Sequence, residues 1–314
     1  MEKRIKYDEI ELNVLVGEPT IKMYVSEKVN NMTRDFCKST GKKMNLMIDT
    51  NCVKVDQILK LEEYETLLLT VPLTYRECHN NIRKLSTGES SYDRIIENLN
   101  KIYSVKPKTR IVLRYNTDLN NIVMFGEYVS QIKSELDFLP IIDISYTTEI
   151  GGGQYKNKLT YEQYKIWKSS DAIDILADNN MPIMVSPLMS LDRCQYRSKY
   201  SLKLFSDGTI GQCAMDFFNK KRTRFKDICN DIGIIEEGYS KREEEYEKCK
   251  KCKSFFVCGC GYNLPCIKSL GYEECENDGN YMIDLEKFIE KYLYYKKNGK
   301  ADLFVGFNGN LVIR

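Results

Sequence analysis

TRIVLRYNTDLNNIVMFGEYVSQIKSELDFLPIIDIS, residues 109–145, holds a β-like run at Thr109 to Arg114, a helical stretch at Asn120 to Leu136 and a second β-like run at Ile141 to Ser145. Strand, helix and strand in that order make a crossover, the repeating unit of a parallel sheet. The same alternation extends toward the N-terminus. Ile10 to Val16, Met44 to Ile48 and Thr66 to Val71 read as strands, and Ile21 to Phe36, Val55 to Leu61 and Ser91 to Ile102 as helices. Five strand units, mostly joined by helices, predict an α/β domain over residues 1–150. Gly151, Gly152 and Gly153 then mark a turn or hinge, and Thr160 to Asn179 reads as one helix.

Beyond Cys194 the texture changes to short strands and cysteine-bearing loops. Leu202 to Phe205 and Thr209 to Gln212, joined through Asp207-Gly208, form a hairpin signal whose second strand leads to Cys213. Charges alternating in sign from Lys241 to Lys253 fit a solvated helix. Asp284 to Tyr295 reads as a closing helix, and Leu303 to Ile313, with Asn308-Gly309 at its centre, as a terminal hairpin.

Composition removes several functions. Lysine and arginine total 47 against 45 acidic residues, so no net field draws a phosphate backbone, and nucleic acid is not an expected partner. No uncharged apolar run approaches the ~18 residues of a membrane helix, and the charged start does not read as a secretory signal. The expectation is a soluble cytoplasmic protein with no membrane partner. In a reducing compartment clustered thiols read as metal ligands rather than disulfides. The chain has one histidine, His79, so any metal sits mainly on sulfur.

Nine of the twelve cysteines lie between Cys194 and Cys275. The first group is Cys194, thirteen residues, Gly208, four residues and Cys213; the second is Cys249-x2-Cys252-x5-Cys258, followed by Cys260, Cys266 and Cys275. Cys229 stands alone between them. Nine thiols suffice for two four-thiolate sites, and such sites hold either zinc or an iron-sulfur cluster.

This array resembles the SPASM domain of radical S-adenosylmethionine (SAM) enzymes. Where the family pattern expects a ligand separated from Cys258 by three residues, this chain has Tyr262, and Cys260 or Cys266 takes its place. The resemblance implies auxiliary [4Fe-4S] clusters, one or two of them. One is held by Cys194, Cys213 and one of Cys260 or Cys266; the other by Cys249, Cys252, Cys258 and Cys275. The N-terminal half carries the likeness too. Gly17-Glu18-Pro19 follows the first strand and resembles the family's Gly-Gly-Glu-Pro motif, whose backbone binds the SAM amino group, with Val16 in the first glycine's place. His79-Asn80-Asn81-Ile82-Arg83 resembles a His-Asp-x-x-Arg motif, which makes Arg83 the partner of the SAM carboxylate. The family's Cys-x3-Cys-x2-Cys loop, which holds a [4Fe-4S] cluster with one iron open to SAM, is absent, and Cys37, Cys52 and Cys78 lie far apart.

The resemblance therefore implies an incomplete (β/α)6 radical SAM-type partial barrel lacking its first β-α unit and followed by a cysteine-rich SPASM domain. Expected boundaries are 1–150 for the barrel, 151–192 for a bridging helix and linker, 193–290 for the iron-sulfur domain and 291–314 for a hairpin tail. The implied function is a maturase that modifies a peptide or protein side chain by 5′-deoxyadenosyl radical chemistry, fed by an electron donor. As written the chain is expected not to cleave SAM, whether it is a fragment, a split subunit or an inactive relative. Asp216, just beyond Cys213, is a candidate for proton transfer. The alternative is a non-catalytic peptide- or protein-binding module stabilised by zinc or a cluster.

Overall fold

A computed structural model describes residues 8–14, 17–21, 23–61, 66–147, 156–184, 203–205, 207–211, 223–224 and 280–305. The chain divides into two compact units, one of residues 1–147, 157–184 and 297–314, the other of 148–156 and 185–296. In chain order the described elements begin with β1 (Glu9–Val14), α1 (Met23–Thr40), β2 (Lys43–Asp49), α2 (Asp56–Lys60), β3 (Thr66–Pro72) and α3 (Arg76–Ile82). There follow α4 (Tyr92–Val105), β4 (Arg110–Thr117), α5 (Phe125–Glu135), β5 (Ile141–Tyr146), α6 (Tyr161–Ser169), α7 (Asp171–Asp178) and β6 (Ile183–Met184). The second unit holds β7 (Lys203–Leu204), β8 (Thr209–Gly211), β9 (Thr223–Arg224) and most of α8 (Asn280–Lys297); β10 (Phe304–Val305) returns to the first.

The first unit is built on one seven-stranded sheet in the order β1-β2-β3-β4-β5-β6-β10, with every pairing parallel. Period-two alternation gives each strand two faces. On one face Tyr115 of β4 packs against Phe125 and Tyr128 of α5, and Phe125 meets Trp167 of α6 at 5.2 Å between ring centres. Leu46, Ile48, Leu69, Val71, Leu113 and Ile144, buried on the same alternation, extend this helix-covered layer. Each such side chain contributes roughly 1.5–3 kcal/mol by leaving water. The opposite face carries a second cluster of Leu68, Val112, Ile141, Met184 and Val305, with Met47 against it. Two residues further along those strands the same face turns polar, at Asp49, Thr70, Arg114 and Asp143.

The α/β alternation read from the sequence stands, with a short helix not read there, α3, between β3 and α4, and four further differences. The stretch Asn120 to Leu136 is a 3-10 turn at Ile122–Met124 and then α5 from Phe125. Asp118 causes this, since its Oδ1 accepts the Asn120 and Asn121 amides at 2.8 Å each and its carbonyl takes the Ile122 N–H at 3.1 Å. The expected single helix from Thr160 to Asn179 breaks at Ser170, where φ is −119° and ψ −88°. The Ser169 and Ser170 hydroxyls there donate back to Lys165 and Ile166 carbonyls, an alternative to continuing the helix. A sixth parallel strand, β6, is only two residues long and gives too short a pattern to read. Phe304 and Val305, expected to open a terminal hairpin, instead pair in parallel with Ile183 and Met184 of β6. The rest of that hairpin lies outside the described residues, as do the triple glycine at 151–153 and the helix expected at 241–253.

In the second unit β7 and β8 form the expected antiparallel hairpin, Leu204 opposite Ile210. Gly208 takes φ +77°, and Asp207 Oδ1 accepts the Thr209 amide at 3.0 Å and hydroxyl at 2.6 Å. The Asp-Gly pair thus supplies the left-handed residue that the short loop needs. β9 adds a third antiparallel strand beside β8. The helix expected at Asp284 to Tyr295 is α8, longer at both ends.

Candidate functional site

In open parallel sheets ligands gather at the carboxyl ends of the strands. Three segments there carry the chemistry. Gly17-Glu18-Pro19 follows β1, and Gly17 has φ +69°, a backbone that L side chains seldom adopt. Glu18 fixes this loop. Its Oε1 accepts hydrogen bonds from the Thr20 amide at 3.2 Å, the Thr20 hydroxyl at 2.6 Å and the Thr50 hydroxyl at 2.6 Å, while Oε2 accepts the Asn51 amide at 2.6 Å. Four bonds to one carboxylate bind the end of β1 to the end of β2. The side chain is fully engaged, and what the loop offers a ligand is backbone.

Thr50-Asn51-Cys52 follows β2. The Thr50 amide donates to Thr70 of β3 at 3.0 Å, and the Cys52 amide donates to the Thr50 hydroxyl at 3.0 Å. Cys52 is fully buried with φ +58°, and its carbonyl is held by the Asn98 side-chain amide at 2.8 Å. Burial first, and then the charge of Glu18, push its thiol up to about 12. A thiol so protected is a poor nucleophile and a poor metal ligand. Among the described residues no group of three or more His, Cys, Asp or Glu is placed to hold a metal ion.

The third segment follows β3. Arg83 closes α3, its amide donating to the His79 carbonyl at 2.8 Å. His79 is fully buried, with Nε2 2.9 Å from the Ser91 hydroxyl, which itself lies 3.2 Å from the Arg83 carbonyl. With the hydroxyl donating to that carbonyl, Nε2 carries the imidazole proton and Nδ1 is a buried acceptor without a partner among the described residues. Burial, and behind it the charge of Arg83, push His79 down to about 4. The ring is therefore a neutral buried strut between α3 and the loop after Arg83. The Arg83 guanidinium is half-buried, and among the described residues nothing accepts a hydrogen bond from it; burial pulls it below its usual value. A desolvated guanidinium with free donors suits a carboxylate.

One polar constellation escaped the sequence reading. Arg114 of β4 donates through Nε to Asp143 of β5 at 3.1 Å and sets Nη1 3.6 Å from Asp49 of β2, reaching across β3. Ser145 donates to the same Asp143 oxygen at 2.8 Å. Thr70 of β3, in register with Asp49, is 1 % exposed, and its hydroxyl finds no partner among the described residues. A signal existed in the sequence, since charged residues at alternate positions of otherwise apolar parallel strands mark a polar face.

Of the residues singled out from sequence, Gly17, Glu18, Pro19 and Arg83 fall on loops after β1 and α3. The structure joins Glu18 to Thr50 and Asn51, and no contact links it to Arg83. Cys194, Cys213, Cys249, Cys252, Cys258, Cys260, Cys266, Cys275, Cys229 and Asp216 lie outside the described residues.

No protein-family model matches the chain, and no curated protein matches it. Solved structures do. Native anSMEcpe with bound AdoMet superposes with a TM-score of 0.61 at 19% identity, over 94% of this chain and 85% of that one. The same protein with AdoMet and the Kp18Cys peptide gives 0.62 at 18% identity, over 94% and 86%. SuiB from Streptococcus suis gives 0.52 at 17% identity, over 85% of this chain and 66% of its own. The fold is that of the radical SAM-type partial barrel. The parallel sheet and its helix-covered face thus share that fold. At such low identity the likeness carries the fold alone.

Proposed function

We propose that this chain is a radical SAM/SPASM-type protein of the kind that modifies a peptide or protein side chain. The observation that carries this reading is the Gly17–Pro19 loop, locked by Glu18 at the carboxyl end of β1, in a sheet shared with AdoMet-bound anSMEcpe. The peptide-bound form of that protein supports a peptide as substrate.

In this reading Gly17, Glu18 and Pro19 present backbone to the SAM amino group, and the Arg83 fork takes the SAM carboxylate. The fit rests on the positive φ of Gly17 and on an Arg83 guanidinium that is desolvated and meets no acceptor among the described residues. His79 acts through Arg83, holding its backbone by way of Ser91. Two auxiliary [4Fe-4S] clusters fall to Cys194, Cys213 and one of Cys260 or Cys266, and to Cys249, Cys252, Cys258 and Cys275. Asp216 is the proton-transfer candidate beside Cys213. Bound SAM supplies a carbon radical able to take hydrogen from an unactivated C–H bond, and an external electron donor starts that chemistry.

The chain has no Cys-x3-Cys-x2-Cys segment, so residues 1–314 by themselves do not cleave SAM. Anaerobically reconstituted protein incubated with SAM and dithionite is expected to form no 5′-deoxyadenosine. Its formation above the no-protein control would overturn this assignment.

A further inference from the structure

The turn after β2 holds a conformation that its own residues do not favour. Cys52 has φ +58°, a left-handed backbone that residues bearing a side chain seldom adopt, and such conformations persist only where the surroundings dictate them. Inside the turn the Cys52 N–H donates to the Thr50 hydroxyl at 3.0 Å, and the Val53 N–H donates to the Asn51 side-chain oxygen at 3.0 Å. A further hold comes from another element. Asn98 of α4 donates through Nδ2 to the Cys52 carbonyl at 2.8 Å and to the Val53 carbonyl at 3.0 Å, which uses both hydrogens of that nitrogen.

This turn in its turn holds the loop after β1. The Thr50 hydroxyl accepts from the Cys52 amide, so its single proton is left for Glu18 Oε1 at 2.6 Å, and the Asn51 amide takes Oε2 at 2.6 Å. The other donors to Glu18, the Thr20 amide and hydroxyl, belong to the loop itself. The orientation of Glu18 therefore depends on the Cys52 turn, and the turn on Asn98. The same helix serves Arg83. Ser91, Ile95, Asn98 and Ile102 follow helical spacing along one face of α4, with Ile95 and Ile102 buried, and the Ser91 hydroxyl reaches the Arg83 carbonyl at 3.2 Å.

We propose that Asn98 is a positioning residue for the Gly17-Glu18-Pro19 loop, acting through the Cys52 turn and Glu18, so that one face of α4 anchors both arms of the candidate site. Asn98 itself touches no ligand. Its amide is what the turn requires, because two carbonyls need two donors from one short side chain. Resting on the function proposed above, the group it serves is SAM, whose amino end meets the backbone of that loop.

The test is amide hydrogen exchange in the full chain without SAM. Asn98→Leu keeps the side-chain volume and removes both donors. It is expected to speed exchange at the Thr20 amide at least ~5-fold beyond any change at Val112 and Leu113 of β4, which report opening of the sheet as a whole. An unchanged Thr20 amide, or an acceleration matched at Val112 and Leu113, would make Asn98 a structural residue and overturn the proposal. Should Asn98→Leu not fold, Asn98→Gln, which sets the amide one methylene further out, takes its place with the same outcomes, and failure of both to fold also overturns it. SAM is read separately, by titration into the same proteins, where Asn98→Leu is expected to weaken binding at least ~3-fold as the loop loses its preorganisation. A faster Thr20 amide with SAM affinity unchanged upholds the positioning and counts against the loop as a SAM site, whereas weaker SAM with an unchanged Thr20 amide rejects the positioning. If the parent chain binds no SAM, the Thr20 amide alone decides.

Discussion

Glu18 Oε2 accepts the backbone N–H of Asn51 at 2.6 Å, joining the loop after the first strand to the loop after the second across 33 residues of sequence. Both Glu18 oxygens are occupied by donors, so an amide at this position cannot reproduce the bonding. Glu18→Gln is expected to lower stability by about 1–3 kcal/mol, the cost of stranding part-buried donors. Urea unfolding followed by tryptophan fluorescence checks this, Trp167 being the only tryptophan in the chain.

Arg83 behaves in the opposite way. No described residue shares its guanidinium, and burial works against its charge. Arg83→Gln should leave the unfolding midpoint within about 0.5 kcal/mol of the parent, a typical surface value. In an assembled enzyme competent to bind SAM, the same change is expected to weaken SAM at least ~10-fold, with Arg83→Lys recovering only part because one point charge replaces a fork. Isothermal titration separates these effects. A large loss of stability with unchanged affinity would make Arg83 structural.

His79 sets a pH dependence of known sign. Its folded value, about 4, lies below the ordinary 6.5, so the native state holds it neutral and the unfolded chain binds the extra proton. The stability it contributes is complete above pH 6.5 and is lost as pH falls from 6.5 toward 4, by up to about 3 kcal/mol. Unfolding midpoints measured from pH 8 to pH 4.5 should decline accordingly, with a shallower decline in His79→Gln. As the only histidine, its ring resonance reports the titration without ambiguity.

Arg114 stands between Asp49 and Asp143, at 3.6 and 3.1 Å. Arg114→Met leaves two carboxylates facing each other across β3 and should cost about 1–3 kcal/mol. Adding Asp143→Asn is expected to restore part of that loss, which a double-mutant cycle in urea measures as a coupling between the sites.

The parallel sheet was legible because its strands are long apolar runs separated by helical stretches, and Asp207-Gly208 announced its hairpin by turn chemistry alone. What escaped was decided by groups that sequence patterns do not rank. Asp118 diverted the start of α5 into a 3-10 turn, and Ser169 and Ser170 ended α6 through their own hydroxyls. β6 and β10 are two residues each and gain their place from sheet neighbours rather than from local pattern. At the candidate site, Gly17-Glu18-Pro19 is singled out by resemblance alone, whereas the engagement of Glu18 with Thr50 and Asn51 depends on two strand ends meeting. Arg114 was hidden because it reads as one charge in a strand until Asp49 and Asp143 are set on either side.

The proposed iron-sulfur clusters on the thiols of the C-terminal cysteine array are tested most directly by elemental analysis after anaerobic reconstitution. The account predicts a brown protein with about eight iron and eight acid-labile sulfide per chain, as two [4Fe-4S] clusters require. A colourless protein holding zinc, or one with neither iron nor sulfide, would contradict it.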